Sequence, residues 1–119
     1  MTPLANIVSG REGDLLVARI HGELDASTTA WAGARLRGLL SNHSDALVVD
    51  LSGTTYLDSA GIALLFSLAA ELRLRQQALY VVIAEGSSVA RIVVLTGLDQ
   101  TVPTHASLDV LHASLGTGA

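Results

Sequence analysis

The sequence contains no cysteine and no lysine among its 119 residues. Without cysteine there are no disulfides, no thiolate nucleophiles and no Cys-ligated zinc. Without lysine the chain has no P-loop lysine and no Schiff-base lysine, and it lacks the lysine expected in a response-regulator receiver domain. Composition alone therefore excludes several common enzyme and signalling classes.

Aromatic residues and positive charge are also scarce. Half of the chain is hydrophobic but only four residues are aromatic, so the core must consist of Leu, Val, Ile and Ala. The net charge is −4, and nucleic-acid binding needs clustered cations, so we expect no direct nucleic-acid partner. No apolar run approaches the ~18 residues of a membrane span, and the start lacks a signal-peptide pattern. We therefore expect a cytoplasmic protein with no membrane partner.

The pattern of apolar residues predicts strands alternating with helices. Residues 15–21 nearly alternate, which is typical of a strand with one buried and one solvated face. Residues 46–49 and 78–84 form short apolar runs that are typical of strands buried on both faces. A polar loop is expected at 42–45, and Ser27-Thr28-Thr29 offers N-cap oxygens to the first helix. The strands are predicted at 4–8, 15–21, 46–49, 78–84 and 102–103, and the helices at about 29–40, 59–75, 89–96 and 107–115.

This order of elements predicts an α/β fold in which helices cover a mixed sheet. The length matches one domain, residues 1–119, with a frayed tail from about residue 116. No linker, internal repeat or low-complexity segment interrupts the pattern.

The segment Tyr56-Leu57-Asp58-Ser59-Ala60-Gly61-Ile62 lies between a buried strand and an apolar helix, and two interpretations of it are open. In the first, Asp58 or Ser59 is a helix N-cap, which is the commoner role and contributes about 1 kcal/mol. In the second, Ser59 is a phosphate acceptor at the positive end of the helix dipole. Further along this helix, Ile62 and Phe66 are expected to be only partly covered, which predicts an apolar contact surface.

Catalysis and metal binding are not indicated by the residues. A nucleophile elbow needs Gly two positions before the serine, where this chain has Leu57, and none of the four histidines lies in a catalytic motif. Asp25, Asp50 and Asp58 each follow or end a predicted strand and are expected to converge at one end of the sheet. Because no Asp-x-Asp ligand loop is present, capping and solvated charge are preferred over a hard-cation site. We therefore predict a binding module with no enzymatic activity, cofactor or metal.

With these residues located, the chain resembles the STAS-domain family of anti-sigma factor antagonists, the bacterial anti-anti-sigma factors. The resemblance covers nearly the whole length and implies a four- to five-stranded mixed sheet with about four helices, packed mainly on one face. The signature of the family is the most specific part of the match, and the flanking segments support it. The matching segments are Gly22 to Asp25, Val49 to Gly53, Leu57 to Ile62 and Leu95 to Asp99.

The resemblance implies a partner-switching function. In that family the unphosphorylated antagonist binds an anti-sigma factor that is itself a GHKL-type serine kinase, which frees a sigma factor to activate transcription. The kinase then phosphorylates the antagonist on the serine that matches Ser59, and a PP2C-type phosphatase restores it. Many members have Ser or Thr at the position of Ala60, so this chain has a single hydroxyl at the site. The implied partner-binding residues are Asp25, Asp58, Ser59, Ala60, Gly61, Ile62 and Phe66.

One alternative stays open within the same family. Some STAS domains are stand-alone subunits of lipid-transport ABC complexes, and others belong to stressosomes. In either role Ser59 would be only a helix cap.

Overall fold

The computed structural model describes residues 5–40 and 46–116. Three sequence predictions concern residues outside this part: the strand start at Leu4, the polar loop at 42–45 and the end of the frayed tail at 117–119. The described strands are β1 (Ala5–Glu12), β2 (Leu15–Leu24), β3 (Ala46–Asp50), β4 (Thr54–Leu57), β5 (Ala78–Val82) and β6 (Thr104–His105). The described helices are α1 (Thr29–Leu39), α2 (Ser59–Leu74), α3 (Ser88–Thr96), α4 (Leu98–Thr101) and α5 (Leu108–Leu115).

The strands form one mixed sheet in the order β1-β2-β3-β5-β6, and β4 pairs with the end of β2. β1 and β2 form an antiparallel hairpin, whereas the other pairings are parallel. The predicted α/β class is confirmed, and the sheet has six strands where the resemblance implied four to five. The additional strand is β4, which the sequence predicted as a connection because four residues are too short to show a period.

β2 changes partner along its length, and this change positions the candidate site. Its first part pairs with β3, up to Arg19 opposite Asp50. From Gly22, opposite Thr54, it pairs with β4; the register shifts between Gly22 and Glu23, and Leu24 lies opposite Leu57. Parallel strands that end side by side deliver their following loops to the same edge of the sheet. The loops that begin at Asp25 and Asp58 are therefore neighbours.

Helices cover both faces of the sheet, with four of the five on one face. α1 to α4 pack on the alternating positions Leu16, Ala18 and Ile20 of β2, as the sequence predicts, and on their neighbours in β3 and β5. The opposite face of β2 was expected to be solvated, and that expectation is wrong at Leu15 and Val17. These residues are buried beneath α5, because the last helix crosses back over the second face.

Most helix ends agree with the sequence. Gly97 ends α3 in the left-handed conformation, with φ of 77°, and Ser107 caps α5 by accepting a hydrogen bond from Val110 N at 3.1 Å. The predicted edge strand at Val102-Pro103 is displaced by two residues, since β6 comprises Thr104 and His105. In the described ranges, no helix is long and apolar enough to cross a membrane.

Candidate functional site

Asp58, rather than Ser59, caps α2. Its Oδ1 accepts hydrogen bonds from Ala60 N at 2.9 Å and from Gly61 N at 3.1 Å, which satisfies two free amides of the first turn. Asp58 has extended backbone angles, and helical geometry begins at Ser59. The interpretation of Ser59 as the helix cap is therefore wrong, because the preceding carboxylate already performs that role.

Ser59 is exposed as the first residue of α2. Its hydroxyl has no hydrogen-bond partner in the part of the chain that the structure describes, and no described histidine contacts it as a base would. The side chain is thus held at a helix N-terminus without a structural task of its own. Such a hydroxyl is accessible to a modifying enzyme.

Asp58 also joins the two loops at this edge of the sheet. Its Oδ2 accepts a hydrogen bond from Ala26 N at 3.3 Å, and its own backbone N donates to Leu24 O at 3.4 Å. One residue therefore caps α2 and fixes the loop that follows β2. Of the three aspartates predicted to converge at one end of the sheet, Asp25 and Asp58 lie in neighbouring loops. Asp50 does not join them in this contact, because it lies opposite Arg19, before the end of β2.

The loop after β2 is closed by its own side chains. Asp25 Oδ1 accepts from Ser27 Oγ at 2.6 Å and from Ser27 N at 2.9 Å. The bond from the Ser27 hydroxyl, with smaller contributions from other Ser27 and Thr28 groups, holds the pKa of Asp25 below its ordinary value, since each bond stabilises the carboxylate. Asp25 therefore presents a fixed negative charge beside α2 at neutral pH.

The predicted capping of α1 by Ser27-Thr28-Thr29 is wrong. Thr28 is the N-cap residue but makes no side-chain bond to the helix. Its Oγ1 instead accepts from Asp25 N at 3.0 Å and donates to Glu23 O at 2.9 Å. The buried Thr28 hydroxyl therefore stabilises the loop between β2 and α1, and it is not available to cap the first turn of α1.

Asp50 has a different environment from the other two aspartates. It is buried, its Oδ2 lies 3.5 Å from Arg19 Nε, and its Oδ1 accepts hydrogen bonds from Ser52 N at 2.9 Å and from the Ser52 hydroxyl. An arginine and a serine thus satisfy this carboxylate. Across the described residues, no cluster of three His, Cys, Asp or Glu side chains is arranged to hold a metal ion.

Two of the expected contact residues are buried. Ile62 is only 5% exposed and belongs to the core beneath α2, so the expectation that it is partly covered is wrong. Gly61 is also buried, and a Cβ at this position would lie 2.5 Å from both Leu24 O and Leu57 Cδ1. The glycine allows α2 to approach the end of β2. Phe66 is half-buried against the core, as predicted.

Two aromatic residues at the surface were not identified as site residues from the sequence. Tyr56 in β4 is 51% exposed and precedes Ser59 by three residues, and Trp31 in α1 is 46% exposed. Exposed aromatic side chains are enriched at protein interfaces. Only four residues of the chain are aromatic, and two of these lie at the surface. The scarcity of aromatic residues was therefore the signal in the sequence that could have identified Tyr56 and Trp31.

Comparison with known proteins agrees with this geometry. Residues 9–111 match a family model described as Mlab, STAS domain. The chain therefore belongs to the STAS-domain family, and its resemblance to the anti-sigma factor antagonists is confirmed.

The chain is similar to one curated relative in sequence and to two solved structures in fold. The anti-sigma-F factor antagonist RsfB of Mycobacterium tuberculosis is 33% identical over 92 residues, which are 77% of this chain and 74% of RsfB. The crystal structure of an anti-sigma factor antagonist from Mycobacterium paratuberculosis has a TM-score of 0.81 at 27% identity, covering 92% of each chain. SpoIIAA in its unphosphorylated form has a TM-score of 0.73 at 15% identity, covering 93% of this chain and 97% of SpoIIAA, and shows the shared fold.

Proposed function

We propose that this protein binds an anti-sigma factor of the GHKL serine-kinase type while Ser59 is unphosphorylated, and so releases a sigma factor to activate transcription. Phosphorylation of Ser59 by that partner ends the complex, and a PP2C-type phosphatase restores it. The complex would form in the cytoplasm, where transcription takes place. The observation that carries the proposal is the exposed Ser59 hydroxyl, which is free of any capping role because Asp58 holds the first-turn amides.

The phosphate would act on the surface and leave the fold intact. A phosphoserine adds a charge of about −1.5 to −2, and the N-terminus of α2 favours negative charge. Asp58 already engages Ala60 N and Gly61 N, so the phosphate would remain at the surface beside two carboxylates. A partner that binds this edge while Ser59 carries a neutral hydroxyl would then face three negative groups, which are the phosphate, Asp25 and Asp58.

We define the switch surface as the residues at this edge that are at least partly exposed. Asp25 and Asp58 border Ser59 through the shared loop contacts, and the exposed Tyr56 side chain supplies an aromatic group. Gly61 and Ile62 are left out because they are buried and support α2 from below. The switch surface comprises Asp25, Tyr56, Asp58, Ser59, Ala60 and Phe66.

The proposal is tested with Ser59→Ala and Ser59→Asp. The alanine variant should capture the anti-sigma factor from native lysate whether or not ATP is present. Ser59→Asp should bind the purified partner at least about 30-fold more weakly, a loss of about 2 kcal/mol, because it places a charge in the contact. Affinity is measured by calorimetry, and the wild-type protein should gain one phosphate on Ser59 in the presence of the partner and ATP.

Ser114→Asp is the matched control, since Ser114 is exposed on α5, which covers the opposite face of the sheet. It should bind as tightly as the wild type. The proposal fails if Ser59→Asp binds normally and mass spectrometry finds no phosphate on the wild-type protein. Capture of a permease and ATPase pair by Ser59→Ala would instead identify a subunit of a lipid-transport complex.

A further inference from the structure

The helices α1 and α2 have two ends, and the proposed switch uses only the end at which they begin. A Cβ at Gly33 would lie 3.0 Å from Leu64 Cδ1, and further along both helices Arg37 Nη2 lies 2.8 Å from Glu71 Oε2. Since both contacts advance from N-terminus to C-terminus, the helices run side by side and end on the same side of the molecule. The 16 residues of α2 span about 24 Å, and this length separates that end from Ser59.

We define the basic end as Arg37, Glu71, Arg73, Leu74 and Arg75, which lie where the two helices end. Three of its four charged side chains are arginines, and all three are exposed. Glu71 bonds to Arg37 and interacts with Arg75 through its charge, so the basic end holds one carboxylate against three guanidinium groups. Leu74 is 87% exposed and lies between two of the arginines in the sequence. The basic end therefore suits an acidic surface that also presents an apolar or aromatic group.

The switch surface of the same chain has the complementary composition. It contains the carboxylates of Asp25 and Asp58, and its Tyr56 side chain is 51% exposed. Phosphate on Ser59 would add a charge of about −1.5 to −2. Guanidinium groups bind phosphate through paired, charge-assisted hydrogen bonds, which are about twice as strong as neutral ones. A phosphate that repels one partner from this surface therefore favours arginine side chains at the same place.

We propose that the basic end of one copy of this chain binds the phosphorylated switch surface of a second copy. Arg73 and Arg75 donate to the phosphate on Ser59, and Leu74 packs against Tyr56. The two contacting surfaces differ, so each pair keeps one free surface of each kind and can add further copies. The inference rests on the proposed phosphorylation of Ser59, and it implies that the inactive antagonist is held in oligomers that cover its phosphate.

The test is sedimentation velocity of the full-length protein with phosphoserine placed at position 59 during translation, so that no kinase is needed. Over a concentration series that reaches about 1 mM, the phosphoprotein should form dimers and larger species, and it should associate about tenfold or more tightly than the unphosphorylated protein. Introducing Arg73→Gln and Arg75→Gln together into the phosphoprotein should weaken association about tenfold or more. Arg35→Gln is the matched control and should change nothing, because Arg35 is exposed on α1 about 160° around the helix from Arg37.

A mixing experiment tests the polarity of the contact. The phosphoprotein with both arginine changes keeps only its acidic surface, and unphosphorylated Ser59→Ala keeps only its basic end, so their mixture should give a one-to-one complex and nothing larger. If circular dichroism shows that the double variant is misfolded, Leu74→Ser replaces it and should weaken association about threefold or more. The proposal is overturned if the phosphoprotein stays monomeric, if the folded variant associates like its parent, or if the mixture forms no complex. Because neither experiment contains an anti-sigma factor, a failure of the proposed partner binding would leave both results unchanged.

Discussion

Two adjacent residues at the start of α2, Asp58 and Ser59, differ in the hydrogen bonds that their side chains make. Asp58 accepts hydrogen bonds from the loop after β2 and from the first turn of α2, while the Ser59 hydroxyl has no such bond in the described part of the chain. An Asp-Ser pair before a helix does not show from sequence which residue is the cap, because both side chains can accept from the first-turn amides. The distinction depends on the backbone angles, and these follow from where β4 ends.

The capping role of Asp58 predicts a stability cost that is separate from the switch. Asp58→Ala should lower the free energy of unfolding by about 1 to 2 kcal/mol, since it removes the bonds to Ala60 N, Gly61 N and Ala26 N. Asp58→Asn keeps an oxygen acceptor and should lose less than half as much. Urea denaturation measures both values, and equal losses in the two variants would contradict the capping role.

Gly61 is predicted to be required for packing. Gly61→Ala should lower the free energy of unfolding by about 1 to 3 kcal/mol, because the new methyl group would collide with Leu24 O and Leu57 Cδ1. Gly38→Ala is the control, since Gly38 lies on α1 with open space around it. That change should stabilise the protein by up to about 1 kcal/mol. Similar thermal stability of the two variants would argue against the close approach of α2 to β2.

At the scale of elements, α1 and α2 are joined at their exposed sides by one ion pair. Arg37 Nε lies 3.0 Å from Glu71 Oε1, and Arg37 Nη2 lies 2.8 Å from Glu71 Oε2, so the guanidinium contacts both carboxylate oxygens. The hydrogen bonds from Arg37 lower the pKa of Glu71, and those same bonds raise the pKa of Arg37. Because both side chains are largely exposed, the pair contributes only about 0.5 kcal/mol.

This pair predicts a specific dependence of stability on pH. A carboxylate whose pKa is lowered by folding stabilises the protein above its unfolded pKa of about 4.3 and loses that contribution as the pH falls through the folded pKa. Glu71→Gln should therefore cost about 0.5 kcal/mol at pH 7 and nothing near pH 2. The control Ser67→Ala, at an exposed position of α2 whose side chain does not titrate in this range, should show no comparable change in thermal unfolding between the two pH values. A cost for Glu71→Gln that persists at pH 2 would rule out the ionic origin.

The long elements could be predicted from the sequence, and the short ones could not. The apolar arc of α2 at Leu64, Leu65, Leu68 and Leu72 is buried as its spacing indicates. β4 and α4 each have four residues, too few for a period, and they form because β2 and α3 provide neighbours for them. Ile62 was misjudged for a related reason: its position on the wheel is peripheral, but the close approach that Gly61 allows brings it into the core.

At the scale of the whole molecule, the sheet has two cores of unequal size. The larger lies beneath α1 to α4, and the smaller lies beneath α5. Local patterns identified both sets of apolar residues but not the side of the sheet that the last helix would cover. That choice depends on the crossing after β6, which involves residues far apart in the sequence.

The smaller core predicts that α5 is necessary for stability. Leu111 is fully buried against Leu15, Val17 and Val48, so Leu111→Ala should lower the free energy of unfolding by about 2 to 5 kcal/mol. Val110→Ala on the same helix should cost far less, since Val110 is 49% exposed. Guanidinium denaturation measures both, and a small cost for Leu111→Ala would mean that α5 is not firmly docked.

The hydrogen bond from Ala26 N to Asp58 Oδ2 has a consequence for anyone who wishes to re-target this domain. A chimera that takes only the loop after β2 from a homologue, or only the start of α2, would separate two halves that share one carboxylate. Both segments would have to be exchanged at the same time, together with Leu24 and Leu57, the residue pair at which β2 meets β4. Under the proposed switch, partner choice would be inherited through a two-part unit that is discontinuous in sequence and continuous in space.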